Sequence, residues 1–277
     1  MVIRGREVVA LLPAAGQSRR LAPLPCSKEL FPIGFGSISG LKGARPKVAS
    51  HYLLEQLGAA GISKGYIVIR NGKWDIPEYW GNGSRLGMDL AYLVIEGSEG
   101  PPDTIDRANA FVRDKVIAFG FPDILFRAKD VFLRLLTRLD ECGADLVLAL
   151  FPAHDHKAMD MVDIDAGHRV RAIHLKPKKT RLRYAWLCAV WTPIFTEFLH
   201  QFLIRVRRGQ TAGLIGNHKI DPQGDIPVGA VLAAAVRAKL NVEGVKFPAG
   251  RYIDIGTPQG LSGIRGFVSR FPTPCMT

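Results

Sequence analysis

Three stretches of the sequence gather the polar residues that phosphate chemistry needs. The first, Leu11 to Gly34, reads LLPAAGQSRRLAPLPCSKELFPIG and carries Arg19, Arg20 and Lys28 among small residues and prolines. The second holds Asp123, in FGFPD, and the third holds Asp254, in YIDIGTP. Each follows an apolar run that reads as a strand, and in open α/β sheets ligands sit outside the carboxyl ends of the strands. Two carboxylates and a group of cations opening on one crevice suit a substrate that combines phosphate with a metal. Mg²⁺ takes one or two protein carboxylates together with phosphate oxygens, and arginine and lysine balance the remaining charge.

The elements that must position these residues alternate along the chain. Strand-like runs at 7–13, 65–70, 89–96, 115–120 and 144–151 are separated by helical patterns at 47–62 and 128–143 and by the shorter TIDRANAFV. Asp103 is the expected cap of that shorter helix, with Asp106 three residues on. Repeated strand–helix–strand units predict an α/β fold, a mostly parallel sheet covered by helices on both faces. After residue 151 the runs 160–165, 169–177 and 184–193 follow one another without helices, which predicts a smaller antiparallel lobe. Helices are expected at 193–207 and 225–240, then two strands and a last helix capped by Thr257 with Pro258 at its first position. The expectation is one domain over 1–277, with a nucleotide-binding lobe at about 1–151 and a second lobe at 152–277, and a mobile linker at 209–224.

The chain of 277 residues is 47% hydrophobic and carries a formal charge of +12. No apolar run approaches the roughly 20 residues that span a bilayer, and the N-terminus reads as a strand instead of a signal peptide. Cys26, Cys142, Cys188 and Cys275 form no CxxC pair, as expected of reduced thiols in a cytoplasmic protein. The basic segments KPKKTRLRY and RVRRG lack regularly interleaved aromatics, so neither a nucleic-acid nor a membrane partner is expected. A homo-oligomer is compatible with the sequence. His154 and His156 stand two apart on a loop without further ligands, a poor metal site.

The motifs as a set resemble the sugar-1-phosphate nucleotidyltransferases, the glucose-1-phosphate thymidylyltransferases and uridylyltransferases. PAAGQSRRL followed by CSKELFPIG is similar to that family's AAG-x-G-T-R-L and P-K-x-L-x-P; LGAAGISKGYIVI is similar to its helix–AGI–strand step. FGFPDILF stands where the family has its metal aspartate, LKP where it has E-K-P, and RYIDIGTPQGL where it has W-x-D-x-G-T-P. The ordered set covers about residues 7–265. It implies a Rossmann-like three-layer α/β/α fold with an antiparallel sugar-binding lobe, and transfer of a nucleotidyl group to a sugar 1-phosphate with release of pyrophosphate. dTTP or UTP is the nucleoside triphosphate implied first.

The resemblance also implies roles. The backbone around Ala14, Ala15, Gly16, Gln17, Ser18 and Arg19 would cradle the nucleotide, and Arg20 would hold the phosphates that leave as pyrophosphate. Lys28 would neutralise charge developing at the transferred phosphate. Asp123 and Asp254 would hold Mg²⁺, with Asp123 counted among the catalytic residues beside Arg20 and Lys28. Lys176 would grip the phosphate of the sugar. The chain departs from the family at Ser18 and Arg19, at Pro122 before the aspartate, at Leu175 in place of glutamate, and at GPPDTIDRA (100–108), where the family contacts the base. Two alternatives follow from these departures: a cytidylyltransferase-type enzyme acting on a non-sugar phosphate or phosphonate, and a non-catalytic nucleotide-binding regulator. Locally, Asp123 could instead cap the helix that starts near Ala128.

Overall fold

The computed structural model describes residues 1–36, 42–210 and 225–269. Cys275 and residues 211–224 of the expected linker lie outside the described residues. The first strands are β1 (Val2–Ile3), β2 (Arg6–Pro13), β3 (Pro32–Gly36) and β4 (Arg45–Val48), followed by helix α1 (Ala49–Ala59) and β5 (Lys64–Arg70). Next come α2 (Asp75–Trp80), β6 (Asp89–Ile95), α3 (Pro101–Asp106), α4 (Asn109–Val112), β7 (Val116–Phe119) and β8 (Ile124–Arg127). α5 (Val131–Cys142) precedes β9 (Leu146–Pro152), β10 (Met161–Ile164), β11 (Val170–His174) and β12 (Tyr184–Trp191). α6 (Pro193–Arg207), α7 (Val228–Arg237), β13 (Val242–Lys246), β14 (Arg251–Asp254) and α8 (Pro258–Ser269) complete the described chain.

Ten strands form one sheet whose main path runs β11-β10-β12-β7-β2-β5-β6, with β9 on the other side of β12 and β13 beyond it. β7, β2, β5 and β6 pair in parallel, as do β9 and β13, and β12 joins the two parts by antiparallel pairing. The strand β2 shows why the sheet is buried on both faces. Val8, Ala10 and Leu12 pack with Leu53, Leu54 and Leu57 of α1 and with Phe132, Leu135 and Leu136 of α5. Val9 and Leu11 turn the other way, toward Ile105 of α3, Phe195 and Phe202 of α6, and Ala230 and Val231 of α7. Successive side chains of a strand alternate faces, so one apolar run serves both helical layers.

Three features differ from the sequence expectation. The residues Ile124–Arg127, which the sequence analysis assigns to no element, form β8, and it pairs with β14 in a small antiparallel sheet. Asp123 therefore precedes a strand, and the alternative that it caps the helix is overturned, since α5 starts only at Val131. α3 begins at Pro101 behind Gly100, not at Asp103. Gly100 has φ 117°, and a Cβ there would lie 2.8 Å from the Ile226 carbonyl oxygen, so this position suits only glycine. Asp103 lies in the first turn and accepts the Glu99 N–H. At the last helix the expectation holds: the Thr257 hydroxyl accepts the Gly260 N–H.

His51 in α1 is 2% exposed, and its Nδ1 accepts the Val48 N–H at 3.1 Å. Its ring packs edge-on to Trp80, 4.4 Å between centroids. Burial first, and then the nearby Lys47 charge, lower its pKa to about 4. The folded protein thus keeps His51 neutral where the unfolded chain takes up a proton, near pH 6.5. The stabilisation is fully present above that pH and is lost as pH falls toward 4, by up to roughly 3 kcal/mol. Urea unfolding of His51→Gln between pH 7 and 4 is expected to show a shallower loss of stability than the parent chain; an equal slope would remove His51 from the account.

Candidate functional site

The loop after β2 leaves the sheet at its carboxyl edge, tied there by the Ala14 N–H donating to the Val68 carbonyl at 2.8 Å. Ala14 and Ala15 are buried, Gly16 and Gln17 exposed, and Ser18 adopts φ 54°, a left-handed turn. The chain then returns through a short 3₁₀ turn at Lys28–Leu30. That return brings the Lys28 ammonium 2.5 Å from Asp123 Oδ2, a pair whose side chains are 17% and 11% exposed. β8 and β14 supply the rest: Asp254 pairs in register with Ile124, and the Ile255 N–H donates to the Asp123 carbonyl. The two carboxylates are thereby set side by side. A Cβ on Gly256 would lie 2.9 Å from Asp123 Oδ2, 2.9 Å from Asp254 Oδ1 and 3.5 Å from Arg20 Nη2. The absent side chain of Gly256 therefore marks the point on which three sequence-predicted residues converge.

The charges answer one another. Burial alone would raise the Asp123 carboxyl, but the charge and hydrogen bond of Lys28 hold it below the ordinary range. Burial would lower Lys28, and the carboxylates of Asp123, Glu29 and Asp254 outweigh this and hold it up. Asp254 is raised by burial and then by the facing Asp123, although the Gly256 N–H, Lys28 and Arg20 pull the other way. This carboxylate pair retains mutual repulsion, offers only oxygen donors and converges on one point. Such a set fits a hard divalent cation, which needs one or two protein carboxylates. Among the described residues no larger cluster of His, Cys, Asp and Glu gathers at a metal-binding distance.

The two arginines part company. Arg20 Nη2 comes within 3.5 Å of the Cβ position of Gly256, beside the carboxylates but forming no ion pair with them among the described residues, whereas Arg19 Nε donates to Gln17 Oε1 at 2.8 Å. Lys176 is exposed in the β11–β12 loop at φ 38° and forms no hydrogen bond or ion pair with the cluster among the described residues. Its neighbour Leu175 packs toward the N-terminus of α7, 3.3 Å from the Cβ position of Gly229. In the 100–108 segment, Asp103 is fully buried and paired with Arg207 and Arg107 in the seam between α3 and α6. Its carboxylate is therefore committed within the protein. His154 stacks on Tyr252 at 5.6 Å and His156 contacts the Lys178 carbonyl, so neither joins the cluster. The Cys26 thiol is pushed up by burial and by Asp75 and Glu29, the opposite of what a reactive thiolate needs.

Two site residues were not found from sequence. Lys73, three residues beyond β5, is buried against Glu29 Oε2 at 2.7 Å and donates to the Ala14 carbonyl at 2.6 Å. Asp75 accepts the Ser27 N–H at 2.6 Å and the Ser27 hydroxyl at 2.7 Å. In sequence, NGKWD reads as a surface turn. The available signal was its place at the carboxyl end of a strand adjacent to β2.

In sequence, no family model and no curated protein matches the chain. In fold the likeness is extensive. A Bacillus anthracis protein assigned as a glucose-1-phosphate thymidylyltransferase, solved with sucrose, aligns with a TM-score of 0.75 at 15% identity, over 96% of this chain and 97% of that one. A UDP-glucose pyrophosphorylase complexed with UDP-glucose aligns with a TM-score of 0.73 at 16% identity, over 96% and 100%. An apo UDP-glucose pyrophosphorylase gives 0.76 at 15% identity, over 95% and 98%. The expected fold class is thus the observed one: a mixed α/β chain, its large central sheet mostly parallel, with the fold of these nucleotidyltransferase structures.

Proposed function

We propose that this chain is a sugar-1-phosphate nucleotidyltransferase, coupling a sugar 1-phosphate to a nucleoside triphosphate and releasing pyrophosphate. dTTP or UTP is the favoured nucleotide. The observation that carries the reading is the convergence of Arg20, Lys28, Asp123 and Asp254 beside the Ala14–Arg19 loop. The fold shared with a thymidylyltransferase-type protein and a UDP-glucose pyrophosphorylase supports it.

In this reading the amides of the 14–19 loop and Arg20 bind the triphosphate, and Lys28 stands where charge grows on the transferred phosphate. Preorganised charges of this kind stabilise a phosphoryl transition state without reorganising. Asp123 and Asp254 would hold Mg²⁺, which when bound supplies charge neutralisation at the phosphate oxygens. Lys176 is proposed to reach the acceptor phosphate from its exposed loop. The enzyme is proposed to act in the cytoplasm; no helix among the described residues is long and apolar enough to cross a membrane. A second reading, transfer to a less hydroxylated phosphate or phosphonate, is favoured by Leu175. Its apolar side chain packs at α7 where the resembled family offers a glutamate.

The reaction is tested by pyrophosphate release with Mg²⁺, screening nucleoside triphosphates against a panel of sugar 1-phosphates and phospho-alcohols. Release with dTTP or UTP and a sugar 1-phosphate is the expected result; exclusive turnover of CTP with a non-sugar acceptor would move the assignment to the second reading. Arg20→Ala is expected to lower turnover by about 10²–10³, the loss usual for one transition-state donor. Arg19→Ala, which removes only the exposed contact to Gln17, is expected to stay within about threefold of the parent, the scale of a surface contact. Equal losses at the two arginines would refute the assignment of Arg20. Gly256→Ala places a methyl between the two carboxylates. It is expected to abolish the Mg²⁺-induced rise in unfolding temperature while the protein still folds; an unchanged Mg²⁺ effect would move the metal elsewhere.

A further inference from the structure

Beneath the β2 loop lies a buried cation for which the proposed transfer has no direct use. Lys73 is 6% exposed, and its ammonium holds three partners: Glu29 Oε2 at 2.7 Å, the Ala14 carbonyl at 2.6 Å and, more weakly, the Gly16 carbonyl at 3.5 Å. In a planar trans peptide unit, the carbonyl of one residue and the N–H of the next point in opposite directions. Holding the Ala14 and Gly16 carbonyls inward therefore turns the N–H groups of Ala15 and Gln17 outward, away from Lys73. Among the described residues, none of the backbone N–H groups from Ala15 to Arg20 finds an acceptor. Ala15 itself is 5% exposed, and a buried N–H without an acceptor is costly unless a ligand supplies one. The same face is open to Lys28, whose ammonium lies 3.8 Å from the Cβ position of Gly16.

We propose that Lys73 is a positioning residue for an anion cradle, whose ligand is a polyphosphate chain bound by the outward amides of the β2 loop. Glu29 neutralises Lys73 from below, so the ammonium is held in place without drawing the anion inward. Asp75, two residues on, fixes the far end of the same loop through Ser27. The segment 73–75 thus splints the loop at both ends, and Lys73 acts through Ala14 and Gly16 without touching the ligand. The inference deepens the proposed function and rests on its reading of this loop as the phosphate site.

The test is calorimetric binding of inorganic tripolyphosphate to the full chain, with unfolding midpoints measured in parallel. Lys73→Met is expected to weaken binding about tenfold or more, the scale of a lost charge-assisted contact. It also strands Glu29 and lowers stability. The double variant Lys73→Met/Glu29→Leu removes the stranded charge, so its midpoint is expected to recover while its affinity does not. Parent-like affinity in Lys73→Met or in the double variant would overturn the proposal. So would a parent chain that does not bind tripolyphosphate. The two readings fail separately: binding without turnover removes the reaction and leaves the cradle, and turnover with an indifferent Lys73 does the reverse.

Discussion

Lys28 and Asp123 are both withdrawn from water, and each is tolerable there because the other lies 2.5 Å away. Removing one partner of such a pair costs roughly 3–5 kcal/mol because the other is left as a buried charge. Around this contact the charges alternate outward. Asp254 faces Asp123, Arg20 faces Asp254, and Glu29 stands beside Lys28 with Lys73 behind it. Four separate parts of the chain must be in place for this order to exist: the β2 loop, the turn after β5, the β7–β8 link and the end of β14. The central sheet supplies that coincidence by delivering the carboxyl ends of β2, β5 and β7 to one edge.

The arrangement is not a stable core in which every charge is matched. Asp123 and Asp254 both crowd the Cβ position of Gly256, and Asp254 is left raised in pKa by burial and then by its neighbour Asp123. Among the described residues the amides from Ala15 to Arg20 find no acceptor, and those of Ala15 and Gln17 are turned outward by the hold of Lys73 on the Ala14 and Gly16 carbonyls. A carboxylate pair in need of a cation and a set of donors in need of an anion stand side by side. A metal-bound polyphosphate satisfies both at once, which is the physical ground for reading the site as one for nucleotidyl transfer.

Much of this was legible in the sequence. The apolar runs at 7–13, 65–70, 115–120 and 144–151 are long and clean enough to be strands, and they became β2, β5, β7 and β9. Arg20, Lys28, Asp123 and Asp254 were singled out, and they converge. What escaped has physical causes. β8 is four residues long, with only three apolar residues before Arg127, too short a run to show a strand period. Lys73 and Glu29 are 44 residues apart, and nothing local in NGKWD marks the lysine as buried. Asp103, read as a helix cap, is instead drawn into the first turn because Gly100 alone fits against Ile226.

The central claim is that Asp123 belongs to a centre for nucleotidyl transfer and not merely to a structural ion pair. The direct measurement is Mg²⁺-dependent pyrophosphate release by Asp123→Asn and by the parent chain, on the substrate pair the parent turns over, with circular dichroism as the check on folding. The account predicts that the variant folds and loses release by about 10² or more. A folded variant that releases pyrophosphate at close to the parent rate would contradict it.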